Sequence, residues 1–155
     1  MNNEKLQFLE TGLVQRLQGL DADAKGKWGL MNGQQMTEHV TGFFKVSSGR
    51  LKFPLITPEE HLPKFKEFLW SDKEFRENTK APLEIVPEHP LPPRNATMQQ
   101  SVEELGAEVK AFTDHFTNGT ATKTLHPVFG ELDFDEWVQL HHKHVTHHLK
   151  QFGLL

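Results

Sequence analysis

The 155-residue chain contains no cysteine. Disulfides, thiolate metal ligands and a cysteine nucleophile are thereby excluded, and the composition fits a reducing compartment. No apolar run reaches the length that spans a bilayer, and the N-terminal stretch MNNEKLQFLE lacks the hydrophobic segment of a signal peptide. Net charge is also small, at -4 with a pI near 6.2. Neither value favours nucleic acid or an anionic membrane as a partner. No internal repeat or low-complexity segment stands out. The expectation is a soluble cytoplasmic protein forming a single domain over residues 1–155, a length that can bury a real core without disulfide or metal staples.

What is present is helical periodicity. Leu6, Leu9, Leu13, Leu17 and Leu20 recur every three or four residues, as one face of an amphipathic helix does. Gly19 and the stretch DADAKGKWG predict a turn. A second helix begins at Asn32, a cap with Gln35 at the third helical position, and places Met36, His39, Phe43 and Val46 on one side. Thr57, Pro58 and Glu60 predict the start of a short helix that fades by Asn78. The segment KAPLEIVPEHPLPPRN holds five prolines, which excludes a helix and disfavours a central strand. Residues 51–97 are therefore read as a long crossover packed on the domain, with Leu83, Ile85, Val86 and Leu91 requiring burial.

Met98, Val102, Leu105, Val109, Phe112 and Phe116 mark another helix face. Either Thr97 with Gln100 or Ser101 with Glu104 could cap it, and the NGT turn ends it. HPVFGEL makes a short extended or turning link. Asp133 and Glu136 then open a last helix running to about Phe152, before Gly153. Four long amphipathic helices without convincing strand sequence predict an all-α four-helix bundle, its long crossover with a short helix lying between helices two and three.

Five of the ten histidines fall within HHKHVTHH, residues 141–148. On a helical wheel with Phe134 as origin, Val145 and Phe152 lie within about 20°, and His141, His144 and His148 within about 80°. These three histidines face the interior, whereas His142 and His147 project elsewhere. His144 and His148, at i and i+4, stand one turn apart and can converge on one ion. A third ligand must come from a facing helix. His39 is the histidine outside the last helix that has both the right face and a secure helical assignment. Three neutral imidazoles leave a fourth position for water or substrate, and a site without thiolates suits zinc, nickel, iron, manganese or cobalt.

His141 could replace one of these ligands or orient one. Gln151, three residues beyond His148, either hydrogen-bonds a ligand or merely finishes the helix. His61, His89, His115 and His126 are expected at the surface. Trp28 and Trp137 are read as core or cavity lining, and Phe129 and Gly130 as turn packing.

Two stretches carry a family likeness. WGLMNGQQMTEHVTGFF sets a tryptophan ahead of the helix bearing His39. HPVFGELDFDEWVQLHHKHVTHHLKQFGL contains a His-x-x-His-His-x-x-Gln pattern at His144, His147, His148 and Gln151. On these residues the chain resembles the DinB/YfiT-like superfamily of metal-binding four-helix bundles, closest to an uncharacterised branch. The resemblance implies a three-histidine site at His39, His144 and His148 holding a divalent metal ion, zinc or nickel foremost, with water completing the shell. It further implies thiol chemistry, since members include thiol-dependent S-transferases and a thiol-dependent isomerase.

The resulting expectation is a metal-dependent enzyme acting on a small-molecule substrate, joining a low-molecular-weight thiol to an electrophile, with His141 as the assisting catalytic group. One rival is a hydrolase using metal-activated water, for which Glu38 is a poor base because it points about 100° from His39. Another is a non-enzymatic, metal-stabilised binding or stress-response protein. An enzyme predicts an open position beside a pocket of about 300 Å³ or more. A homodimer is also an expectation, with no surface assigned to it.

Overall fold

The computed structural model describes residues 3–119 and 122–155, which are mostly helical. Helix α1 comprises Asn3–Gln7, a π-helical turn Phe8–Gly12, and Leu13–Leu17. Its leucine stripe is realised, with Leu9, Leu13 and Leu17 buried. The helix stops before Leu20, which packs partly on the core from the following turn. Gly19 takes a φ of 87° in that turn, a conformation that costs glycine little.

Helix α2, Gly33–Ser47, opens with the expected box: Asn32 Oδ1 accepts from Gln35 N at 2.8 Å, and Gln35 Oε1 accepts from Asn32 N at 2.9 Å. Helix α3, Leu62–Trp70, follows a 3₁₀ turn, Glu59–His61. Thr57 does not cap it, because Pro58 is still extended at ψ 138° and the helical turn begins beyond it. Nor does it run towards Asn78. The Ser71 hydroxyl donates to Phe68 O and accepts from Lys73 N, turning the chain away after Trp70.

Helix α4, Met98–Asn118, uses the Thr97–Gln100 box. Ser101 is free of capping and buries its hydroxyl against Glu38. The helix ends where the NGT turn was expected, although Thr120 lies outside the described residues. Helix α5, Phe134–Gln151, starts with the Asp133–Glu136 box. It ends at Gly153, φ 72°, where Leu154 N donates to Leu149 O at 2.8 Å and Gly153 N to Lys150 O at 3.1 Å. These are the paired bonds of a glycine-terminated helix.

The link before α5 corrects the expectation of no strands. β1 (Thr124–His126) and β2 (Gly130–Leu132) pair antiparallel, with Thr124 opposite Leu132 and His126 opposite Gly130. Strands of three residues are too short to show alternation in sequence. A side chain closes their turn: His126 Nδ1 accepts from Val128 N at 2.9 Å and Phe129 N at 3.1 Å.

α2 packs along α4 and touches α5, α1 lies against both α4 and α5, and α3 lies on α5. Leu9, Val40, Phe44, Leu105, Phe112, Trp137 and Val145 belong to the core between them. The crossover is anchored by polar groups. Glu38 accepts from Arg94 N at 2.7 Å, Asn95 N at 3.2 Å and Ser101 Oγ at 2.8 Å, while Gln35 Nε2 donates to Leu91 O at 3.0 Å. These bonds hold the backbone without burying every apolar side chain. Leu83 and Leu91 are each 69% exposed, contrary to expectation, and Ile85 and Val86 are half-buried. Among the described residues no helix is long and apolar enough to cross a membrane.

Candidate metal centre

His39 sits in the second turn of α2, and His144 and His148 are one turn apart near the end of α5. The packing of α2 on α5 brings their imidazoles together. His144 Nε2 lies 3.1 Å from His39 Nε2 and 3.0 Å from His148 Nε2, and one ring nitrogen from each residue falls within 4.8 Å of the others. The rings meet edge-on, at interplanar angles of 69°, 79° and 80°. Phe43 walls one side, with its ring centroid 5.2 Å from that of His39 and 5.0 Å from that of His144. His148 is buried, whereas His39 and His144 are half-buried and leave the cluster partly open.

Electrostatics keep these rings neutral. Burial, and then the neighbouring His147, hold His39 down at about 4. Burial and mutual repulsion push His144 and His148 well below the ordinary imidazole value. A proton can bridge one pair of nitrogens but cannot satisfy three that face a common point. A divalent ion accepts all three lone pairs, and neutral imidazoles are donors of the kind zinc and nickel take. The donor set therefore fits a divalent metal.

Two further contacts lead outward from His148. Its Nδ1 is 2.7 Å from Gln151 Oε1, and Gln151 Nε2 donates to the carbonyl of Trp28 at 2.9 Å.

His141, the expected assisting group, is not one of the converging imidazoles. Its Nε2 bonds Ser47 Oγ at 2.8 Å, and its ring stacks between Phe44 at 3.8 Å and Trp137 at 5.2 Å. The wheel correctly turns it inward, towards the α4 side, where Phe112 also packs on it. His126 is buried rather than superficial, and burial holds it at about 3. His115 is half-buried, while His61 and His89 are exposed as expected. Glu38 serves the crossover and not the imidazoles.

His147 is the residue that sequence reasoning missed. The wheel sends it away from the interior, yet the loop before α2 and the chain after α3 cover that side with Trp28 and Phe75, whose rings lie 5.4 and 5.9 Å from it. A cavity of about 290 Å³ opens there, bounded by Lys27, Trp28, Phe75, Glu77, His147 and Lys150. It is not lined by His39, His144 or His148, although the His147 ring packs 5.0 Å from His148. The aromatic Trp28 and Phe75 were the signal, but neither is periodic with α5.

A sequence-family model described as "Protein of unknown function (DUF1569)" matches residues 10–153, so the chain belongs to that family. No curated protein and no solved structure matches it.

Proposed function

We propose that this member of the DUF1569 family binds one divalent metal ion, zinc or nickel foremost, through His39, His144 and His148, and uses it as an enzyme. The observation that carries this reading is the convergence of three Nε2 atoms from two helices. The reaction we favour is transfer of a low-molecular-weight thiol to an electrophile, which rests on the resemblance to the DinB/YfiT-like superfamily. We likewise read α1, α2, α4 and α5 as a four-helix bundle of that kind, with α3 in the crossover. The contacts of α2 with α4 and α5, and of α1 with both, support that arrangement.

When bound, the ion supplies a Lewis acid that lowers the pKa of a thiol and presents its sulfur as thiolate. Three neutral imidazoles would leave a bound ion its net positive charge. Phe43 gives the cluster an apolar wall on one side. The half-open cleft beside His147 approaches the site through the His147–His148 ring contact. Water activation is the weaker chemistry here, because Glu38, the carboxylate adjoining His39 in sequence, is occupied by three hydrogen bonds.

A second reading has its own support. The cavity is not lined by the three histidines, and the cluster ties α2 to α5. Both features suit an ion that serves only to staple the fold of a binding or stress-response protein.

The test is elemental mass spectrometry on untagged protein purified without chelators or nickel resin, beside His144→Ala. One equivalent in the parent and far less in the variant is expected. A folded, metal-free parent that takes up no zinc, nickel or manganese sinks the proposal. With metal loaded, thiol consumption across an electrophile panel separates the enzyme from the staple.

A further inference from the structure

We infer that Gln151 is a positioning residue for His148: clamped by the loop around Trp28, it fixes the imidazole tautomer that turns a bare Nε2 towards His39 and His144. The inference rests on the metal-binding reading above and extends it to the loop.

The two ends of a glutamine amide have the same shape but opposite hydrogen-bonding character. Trp28 O can only accept, so the amide NH₂ faces it, at 2.9 Å. The amide oxygen then faces His148 Nδ1 at 2.7 Å, and an oxygen there can only accept. Nδ1 must therefore carry the ring proton. A neutral imidazole has only one, so Nε2 presents a lone pair at the point where the three histidines meet.

The clamp is specific. Lys27 N donates to the backbone carbonyl of Gln151 at 2.7 Å, so the loop grips this residue at main chain and side chain. That approach depends on glycine. A Cβ at Gly29, whose φ is 81°, would lie 2.8 Å from Gln151 Nε2, and one at Gly26 would lie 2.9 Å from Gln151 Cγ. Finishing the helix does not require the Gln151 side chain, because backbone bonds from Gly153 and Leu154 do that. Groups that orient a metal-bound histidine through its other nitrogen typically change metal affinity by about 10- to 100-fold.

Two measurements on metal-stripped protein test this. Long-range ¹H–¹⁵N spectra report the tautomer of His148 without any ion, and calorimetric titration with zinc reports affinity. The parent should show His148 protonated at Nδ1. Gln151→Leu should lose that preference and bind zinc about 10- to 100-fold more weakly. Gln151→Glu keeps an acceptor for Nδ1–H and should keep the parent's tautomer, although its second oxygen then opposes Trp28 O. A parent protonated at His148 Nε2 overturns the inference whether or not any variant folds. So does a Gln151→Leu protein with the parent's tautomer and zinc affinity. A parent that binds no zinc overturns the metal reading alone, and the tautomer still decides the role of Gln151.

Discussion

His39 Nε2 and His144 Nε2 lie 3.1 Å apart although 105 positions separate the residues in the chain. The two nitrogens connect α2 to α5, so an ion held between them acts on the stability of the whole fold. At a zinc concentration about a hundredfold above Kd, linkage adds about 2.7 kcal/mol, or roughly 5–10 °C in Tm for a chain of this size. His39→Ala should abolish this shift in a calorimetric melt. An equal shift in the variant would mean that zinc acts elsewhere.

Acid should destabilise the metal-free protein, with His126 a measurable part of the effect. Burial holds its imidazole at about 3, below its ordinary 6.5. The unfolded chain therefore binds more protons between these values. The stabilisation is complete above about 6.5 and is lost as pH falls towards 3, at up to about 1.4 kcal/mol per pH unit for one group. Asparagine can offer an oxygen to Val128 N and Phe129 N much as Nδ1 does. His126→Asn should thus flatten the stability–pH slope measured by urea unfolding. An unchanged slope would remove His126 from the account.

Glu38 is the pin of the crossover. Burial alone would raise its carboxyl, but hydrogen bonds from Arg94 N, Ser101 and Asn95 N overcome this and hold it below the usual value. Removing it strands several donors. Glu38→Ala should cost about 2 kcal/mol in urea unfolding and leave zinc stoichiometry intact. A loss below about 0.5 kcal/mol would show that the 91–97 segment needs no such anchor.

His141 should behave as a core residue. Alanine there empties the space between Phe44 and Trp137 and strands the Ser47 contact, at a cost of about 3 kcal/mol. Zinc content should be unchanged in whatever fraction stays folded. Loss of metal without loss of stability would restore His141 to the site.

Local chemistry made much of the fold legible. The Asn32–Gln35 and Asp133–Glu136 boxes and the glycine at 153 depend on residues a few positions apart, and each appears where the sequence places it. The leucine, phenylalanine and histidine faces likewise follow from a period of about 3.6 residues. The pair His144 and His148 is visible for the same reason, and His39 was reachable because it shares a buried helix face.

Other features depended on contacts that no window of sequence contains. His141 and His148 both turn inward on α5, but only the position of α2 and α4 beside them sends one into the core with Ser47 and the other to the cluster. His147 points away from the helices on the wheel and is buried because Trp28 and Phe75 arrive from elsewhere. The two strands were invisible at three residues each, and the crossover was held by Glu38 where apolar burial had been expected. Sequence by itself determined which residues share a helix face and where those helices start and stop, since these are short-range matters of periodicity and capping. Tertiary packing decided which histidine meets which partner, because an imidazole takes its role from whatever lies within about 3 Å of each nitrogen.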